Sequence, residues 1–317
     1  MKKIWLMTLS LLLAAAAFGA EGKPLRVLIV GNSFSVTVMR ELPNIVDAQK
    51  EHALDITSMY IGGCSLERHV REYEKALKDP NHRPYSQTHY ITGQGRLPRV
   101  MGSLVDVLAA GTYDVITIQQ ASPVSFKLDS WTPYGDKLVA ILREKQPRAK
   151  LLIHQTWSYR CNSPLMTDEW KFTQEEMFKG VRAVCADRAK HFDCGVIPMG
   201  EAVQLWRRGN GAKPLSANEE EFKKYEYPKM PPRNVYKGDV VGWYRWRRRK
   251  KPTPHWEIWC DYTHLNPDGF YLQGCVWFAY LFGADAEKIT YKPKYLTSAE
   301  AALIRRSAAD AIAGKYE

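Results

Sequence analysis

The 317-residue sequence has no Cys-x-x-Cys pair and no His-Glu-x-x-His, which argues against the common zinc-finger and zinc-hydrolase frameworks. It also lacks Gly-x-Ser-x-Gly, the nucleophile elbow of α/β-hydrolases. Beyond residue 20 no apolar run approaches the roughly 18 residues of a membrane helix, so no stable membrane span is expected in the mature chain. No Pro/Gly/Ser-rich linker divides the sequence and no internal repeat is visible. With 45% apolar and 25% charged residues, the composition is not that of a disordered chain. A chain of this length can bury a core without disulfide staples.

What is present begins with charge. The net charge is +11, which at first suggests nucleic acid. Lys2 and Lys3, however, sit at the extreme N-terminus, and six further positive residues fall between Arg245 and Lys251. Setting these aside leaves +3, so the basicity is local and nucleic-acid recognition motifs are lacking.

Residues 1–20 read as a signal peptide: Met-Lys-Lys, an apolar run from Ile4 to Phe18, then Gly19-Ala20 before Glu21. A secreted or periplasmic protein is therefore expected. No cysteine stands at the start of the mature chain to carry a lipid. Export would permit disulfides among Cys64, Cys161, Cys185, Cys194, Cys260 and Cys275, while buried free thiols are the alternative.

Short β-branched runs at Leu25–Val30, Leu54–Tyr60, Asp114–Gln119, Lys150–Gln155 and Gly195–Met199 suit strands buried on both faces. Helical patterns lie near 36–49, 97–110, 134–144, 168–191, 267–282 and 298–313. The alternation predicts a three-layer α/β/α, doubly wound fold with a five-stranded, mostly parallel sheet. Residues 21–317 read as one domain, with an elaboration at about 206–259 too long for a simple turn and too rich in tryptophan to be disordered.

The first strand runs into Gly31-Asn32-Ser33-Phe34-Ser35. Ligands of open parallel sheets bind beyond the carboxyl ends of the strands, and a helix start there supplies unpaired N–H groups. Ser33 is thus a candidate nucleophile, although Ser33 or Ser35 could simply cap the helix. Near the other end, Asp261-Tyr262-Thr263-His264 precedes Asn266-Pro267, an N-cap followed by a first helical residue. Serine chemistry needs a hydroxyl, an imidazole to take its proton and an acid to fix the tautomer. Ser33, His264 and Asp261 provide that set.

These blocks resemble the SGNH, or GDSL-type, serine esterase superfamily, with Asn-Ser replacing the usual Asp-Ser. The resemblance runs from about Leu25 to Phe282. It implies a flavodoxin-like sheet, Ser33 as nucleophile, and an oxyanion hole formed by the N–H groups of Ser33 and of Gly63, in Ile61-Gly62-Gly63-Cys64-Ser65. The usual Gly-x-Asn-Asp block is replaced by Gln119-Gln120-Ala121-Ser122, so the Gln120 amide is the candidate third donor. No metal or other cofactor is implied.

Candidate substrate contacts are Asn32, which could also satisfy nearby backbone, and Trp157 and Tyr159 after the fourth strand. The two aromatics could stack on a sugar or cover the sheet end. Arg247 and Arg248, interleaved with Trp243, Tyr244 and Trp246, could bind an acidic or sulfated glycan, or form a solvated basic surface. A disulfide between Cys64 and Cys260 would brace the site. The resulting expectation is a carbohydrate O-acetylesterase. A lipid esterase on the same residues and a catalytically silent glycan-binding protein are the alternatives.

Overall fold

A computed structural model describes residues 22–209, 224–230 and 238–316. The expected leader and part of the expected elaboration lie outside them.

Strand β1 (Leu25–Gly31) is the axis of the sheet. Val27, Leu28, Ile29 and Val30 are all essentially inaccessible, as a strand covered on both faces requires. It pairs in parallel with β2 (Leu54–Tyr60) on one side and, on the other, with a strand at Val115–Ile118. Parallel strands at Lys150–His154 and Gly195–Ile197 continue the sheet beyond it.

The sheet has eight strands rather than the expected five. The three additions, β3 (Tyr85–Ile91), β4 (Gly95–Arg96) and β5 (Val100–Gly102), extend it antiparallel beyond β2. Only Tyr85 and Tyr90 of β3 are buried, so this strand carries no continuous apolar run to announce it. In chain order the next strands are β6 (Val115–Ile118), β7 (Lys150–His154) and β8 (Gly195–Ile197).

Two groups of helices pack with this sheet. One contains α1 (Leu42–Ala48), α6 (Met199–Gly209), α7 (Pro267–Phe282) and α8 (Ser298–Ile312). The other contains α2 (Leu66–Lys78), α3 (Leu104–Ala110) and α4 (Tyr134–Lys145), while α5 (Gln174–His191) contacts β7, β8 and α6. The architecture is mixed α/β with a mostly parallel central sheet. The helix expected over 97–110 is shorter: β5 occupies part of that stretch, and Ser103 caps a helix that begins at Leu104. Among the described residues no helix is long and apolar enough to cross a membrane.

The later part of the expected elaboration at 206–259 contains a two-stranded antiparallel hairpin of β9 (Val241–Arg249) and β10 (His255–Leu265), the second strand running on to Leu265. Tyr244 and Cys260 form a small core of their own with Met230, Ile258 and Tyr262. Pairing runs regularly from His255 opposite Arg249 to Asp261 opposite Trp243, then shifts, so that Leu265 faces Val241. Tyr262, Thr263 and His264 are therefore looped out against Gly242 alone, a bulge that redirects the strand. Gly242 has φ +86°, and a Cβ there would stand 2.0 Å from Arg160 Cδ. Only glycine fits this corner.

Candidate active site

The ends of β1 and β6, adjacent in space although separated in sequence, frame the site. After β1 the chain turns sharply, with the Ser35 and Val36 N–H groups both donating to the Asn32 carbonyl. The turn leaves Ser33 partly exposed between the buried Asn32 and Phe34. A 3-10 helix, Val36–Arg40, follows before α1.

The hairpin bulge brings His264 to this turn. Ser33 Oγ lies 2.7 Å from His264 Nε2, and His264 Nδ1 lies 2.8 Å from Asp261 Oδ2. Asp261 Oδ1 also accepts from the Thr263 N–H and the His264 N–H, each at 3.0 Å, and from the Thr263 hydroxyl at 3.2 Å. Burial opposes ionisation of Asp261, but these bonds and the imidazole overcome it and hold the carboxyl pKa down to about 2. The ionised Asp261 accepts a hydrogen bond from His264 Nδ1–H. Nε2 is then the acceptor facing the Ser33 hydroxyl.

Several buried contacts fix this geometry. Phe34 stacks on Trp157, with centroids 4.2 Å apart, and its carbonyl accepts from Gln273 Nε2 at 2.7 Å and His154 Nε2 at 3.3 Å. His154 Nδ1 accepts from Trp277 Nε1 at 3.2 Å, which defines the tautomer. Burial lowers the His154 pKa to about 3, so the ring stays neutral. On the hairpin side, Trp157 Nε1 donates to the Thr263 carbonyl at 2.9 Å, and the Arg160 N–H donates to the Tyr262 carbonyl at 3.0 Å. Arg207 pairs with Asp239 at 3.0 Å, and its guanidinium donates to Ser158 Oγ at 2.7 Å, tying the loop after β7 to the start of the hairpin.

Gly63 occupies an exposed turn with φ +61°, closed by the Cys64 N–H on the Ile61 carbonyl. Among the described residues neither the Ser33 N–H nor the Gly63 N–H is taken by a protein acceptor.

Other expected site residues are placed differently. Gln120 is turned inward: its amide donates to the Ser130 carbonyl, and its oxygen accepts from the Leu66 and Ala121 N–H groups at 3.1 and 2.8 Å. It braces α2 rather than offering a donor to the cleft. Trp157 and Tyr159 are each 1% exposed, and Tyr159 bonds Ser122 Oγ at 2.8 Å, so neither presents a face to a sugar. Asn32 is likewise enclosed, hydrogen-bonded to Cys64, Phe34 and Gln119.

Arg247 is engaged at the hairpin surface, 2.7 Å from Glu257 Oε1 and over the Trp259 ring, whereas Arg248 is exposed opposite Trp256. Arg249 shares the same Glu257 oxygen, so part of the basic run is compensated internally. All six cysteines are free, including Cys64 and Cys260, so the expected brace between those two is absent. Burial pushes the Cys64 thiol up to about 12 and keeps it protonated. Among the described residues no group of His, Cys, Asp and Glu could hold a metal ion.

Fold and site together define a mixed α/β protein with a hydrogen-bonded Ser–His–Asp set at the carboxyl edge of its sheet. The chain belongs to the family described as "Domain of unknown function (DUF4886)", whose model matches residues 26–227. The matched span holds Ser33 and Gly63 and ends before Asp261 and His264. The crystal structure of a DUF4886 family protein from Bacteroides uniformis is similar, with 25% identity and a TM-score of 0.70 over 93% of this chain and 97% of that one. A "putative GDSL-like lipase" from Parabacteroides merdae aligns at 11% identity with a TM-score of 0.46, covering 84% of this chain and 98% of that one. No curated protein matches the sequence.

Proposed function

We propose that the protein is a serine ester hydrolase. The observation that carries this reading is the continuous hydrogen-bond line from Ser33 Oγ through His264 to Asp261. As the Ser33 oxygen attacks an ester carbonyl, His264 Nε2 takes its proton and then gives it to the departing alkoxide. Asp261 keeps the imidazole in the required tautomer and stabilises the imidazolium. The Ser33 and Gly63 N–H groups receive the negative charge that develops on the carbonyl oxygen; losing one such donor typically costs about 3 kcal/mol. Water then releases the acyl group from Ser33 by the same proton path in reverse.

The substrate proposed is an O-acetylated carbohydrate outside the cell, with residues 1–20 directing export. Support comes from the hairpin that carries Asp261 and His264. A cavity of about 660 Å³ on it is lined by Tyr244, Trp246, Trp256 and Tyr262 together with Arg247 and Arg249, which share Glu257 in the same wall. Aromatic faces and guanidinium groups suit a sugar chain bearing carboxylate or sulfate.

The test is acetate release from neutral and acidic acetylated polysaccharides, with Ser33→Ala as control. Release by the wild type alone supports the reading. A preference for long-chain acyl esters would move the substrate to lipids.

A further inference from the structure

Position 32 carries an amide whose orientation its neighbours dictate. Asn32 is 1% exposed. Its Nδ2 donates to the Cys64 carbonyl at 2.9 Å, and its Oδ1 accepts from the Phe34 N–H at 3.0 Å and Gln119 Nε2 at 2.6 Å. A peptide N–H can only donate and a peptide carbonyl can only accept, so the side chain cannot be reversed without losing both backbone bonds.

The three partners belong to three segments: the turn that presents Ser33, the turn that presents Gly63, and the end of β6. Gly62 and Gly63 are exposed and bring no side chain to hold their turn, which makes the buried bond on the Cys64 carbonyl an anchor for it.

We propose that Asn32 is a positioning residue that sets the Gly63 N–H relative to Ser33, and that its amide nitrogen is the chemical requirement. A carboxylate of the same shape does not serve. With Asp at this position one oxygen keeps the Phe34 and Gln119 donors, but the other faces the Cys64 carbonyl with no proton between them. In a site this enclosed, two opposed acceptors are costly. At neutral pH the carboxyl is ionised and the carbonyl withdraws, which moves the turn that holds Gly63; only on acidification does a carboxyl proton restore the bond. Gln119 strengthens the argument: its Oε1 is buried without a partner, so the contribution of this side chain at the site is the donor it gives to Asn32.

The inference rests on the Ser33 reading above, and the experiment separates the two. Hydrolysis of an aryl acetate is measured for wild type, Asn32→Asp, Gln119→Glu and Ser33→Ala across a pH series, alongside thermal unfolding. Asn32→Asp is expected to lose about 10²-fold in kcat at neutral pH, the scale of an oxyanion donor, with KM within about threefold. The ratio of variant to wild-type kcat should rise at least about tenfold on acidification, because a protonated carboxyl can again donate to Cys64. Gln119→Glu sets a carboxylate against Asn32 Oδ1 and should show the same loss and recovery, so the proposal stays testable if one variant folds poorly. A boronic acid that mimics the tetrahedral adduct should weaken in parallel with kcat. Folded Asn32→Asp with wild-type kcat at neutral pH, or with a loss that is flat across pH, overturns the inference. Wild-type hydrolysis by Ser33→Ala would instead remove the reading beneath it.

Discussion

Trp157 Nε1 donates to the Thr263 carbonyl at 2.9 Å, so the loop after β7 grips the peptide immediately before His264. The indole also stacks on Phe34, the residue after Ser33, so a single side chain touches both halves of the proton path. Trp157→Phe keeps the stack and removes the bond. It should cost about 1 kcal/mol of stability and lower kcat several-fold. The loss should be equal for a small aryl acetate and an acetylated polysaccharide; a defect confined to the polysaccharide would mean that the indole contacts sugar after all.

Gly242 faces the bulge that delivers His264. Its φ of +86° and the 2.0 Å clearance to Arg160 Cδ leave no room for a methyl group. Gly242→Ala should destabilise the protein by about 2 kcal/mol or more and lower kcat more strongly than KM changes, because the hairpin must shift at Asp261. Differential scanning calorimetry and aryl acetate kinetics provide the two readings.

His154 predicts a pH effect on stability. Its folded pKa, about 3, lies below the ordinary value of 6.5, so the unfolded chain binds the extra proton between these limits. The contribution is fully present above pH 6.5 and is lost as pH falls toward 3. The buried His69, also lowered to about 3 by its burial, acts in the same direction. Asp261 adds a lower window, between 3.8 and about 2. His154→Gln can retain both hydrogen bonds without titrating. Its melting temperature should fall less steeply than that of wild type between pH 6.5 and 4, and an unchanged slope would argue against this assignment.

The basic strand gives a substrate prediction. Arg247 and Arg249 share Glu257, while Arg248 is exposed on the opposite face of β9. Replacing all three with Ala should raise KM for an acidic acetylated glycan about tenfold and leave a neutral aryl acetate within about twofold. Equal effects on both substrates would separate this surface from substrate choice.

The parallel strands were legible because Val27 to Val30 and their counterparts form apolar runs that only a doubly covered strand needs. The antiparallel strands were not, because Tyr85–Ile91 buries only two tyrosines and is otherwise polar. Asp261 and His264 stood out through their three-residue spacing, and Ser33 through its place just after the first strand. The same local view left Trp157 and Tyr159 open between cleft and sheet end, and it pointed Gln120 at the cleft. A position just beyond a strand places a residue near the cleft, but the hydrogen bonds to Thr263, Ser122 and Ser130 that turn these side chains inward come from distant parts of the chain. The β9–β10 hairpin was obscured by the prolines that flank it. Its signal was present in the alternation of Arg245, Arg247 and Arg249 with Tyr244, Trp246 and Arg248.

The central claim is that Ser33 is the nucleophile activated by His264 and Asp261. The most direct measurement is labelling by an organophosphonate probe, with the modified residue mapped by mass spectrometry in wild type, Ser33→Ala and Asp261→Asn. Stoichiometric labelling at Ser33 is predicted for wild type, none for Ser33→Ala, and a rate lower by about 10³-fold for Asp261→Asn. Undiminished labelling of Ser33→Ala, or an unreactive wild type, would contradict the account.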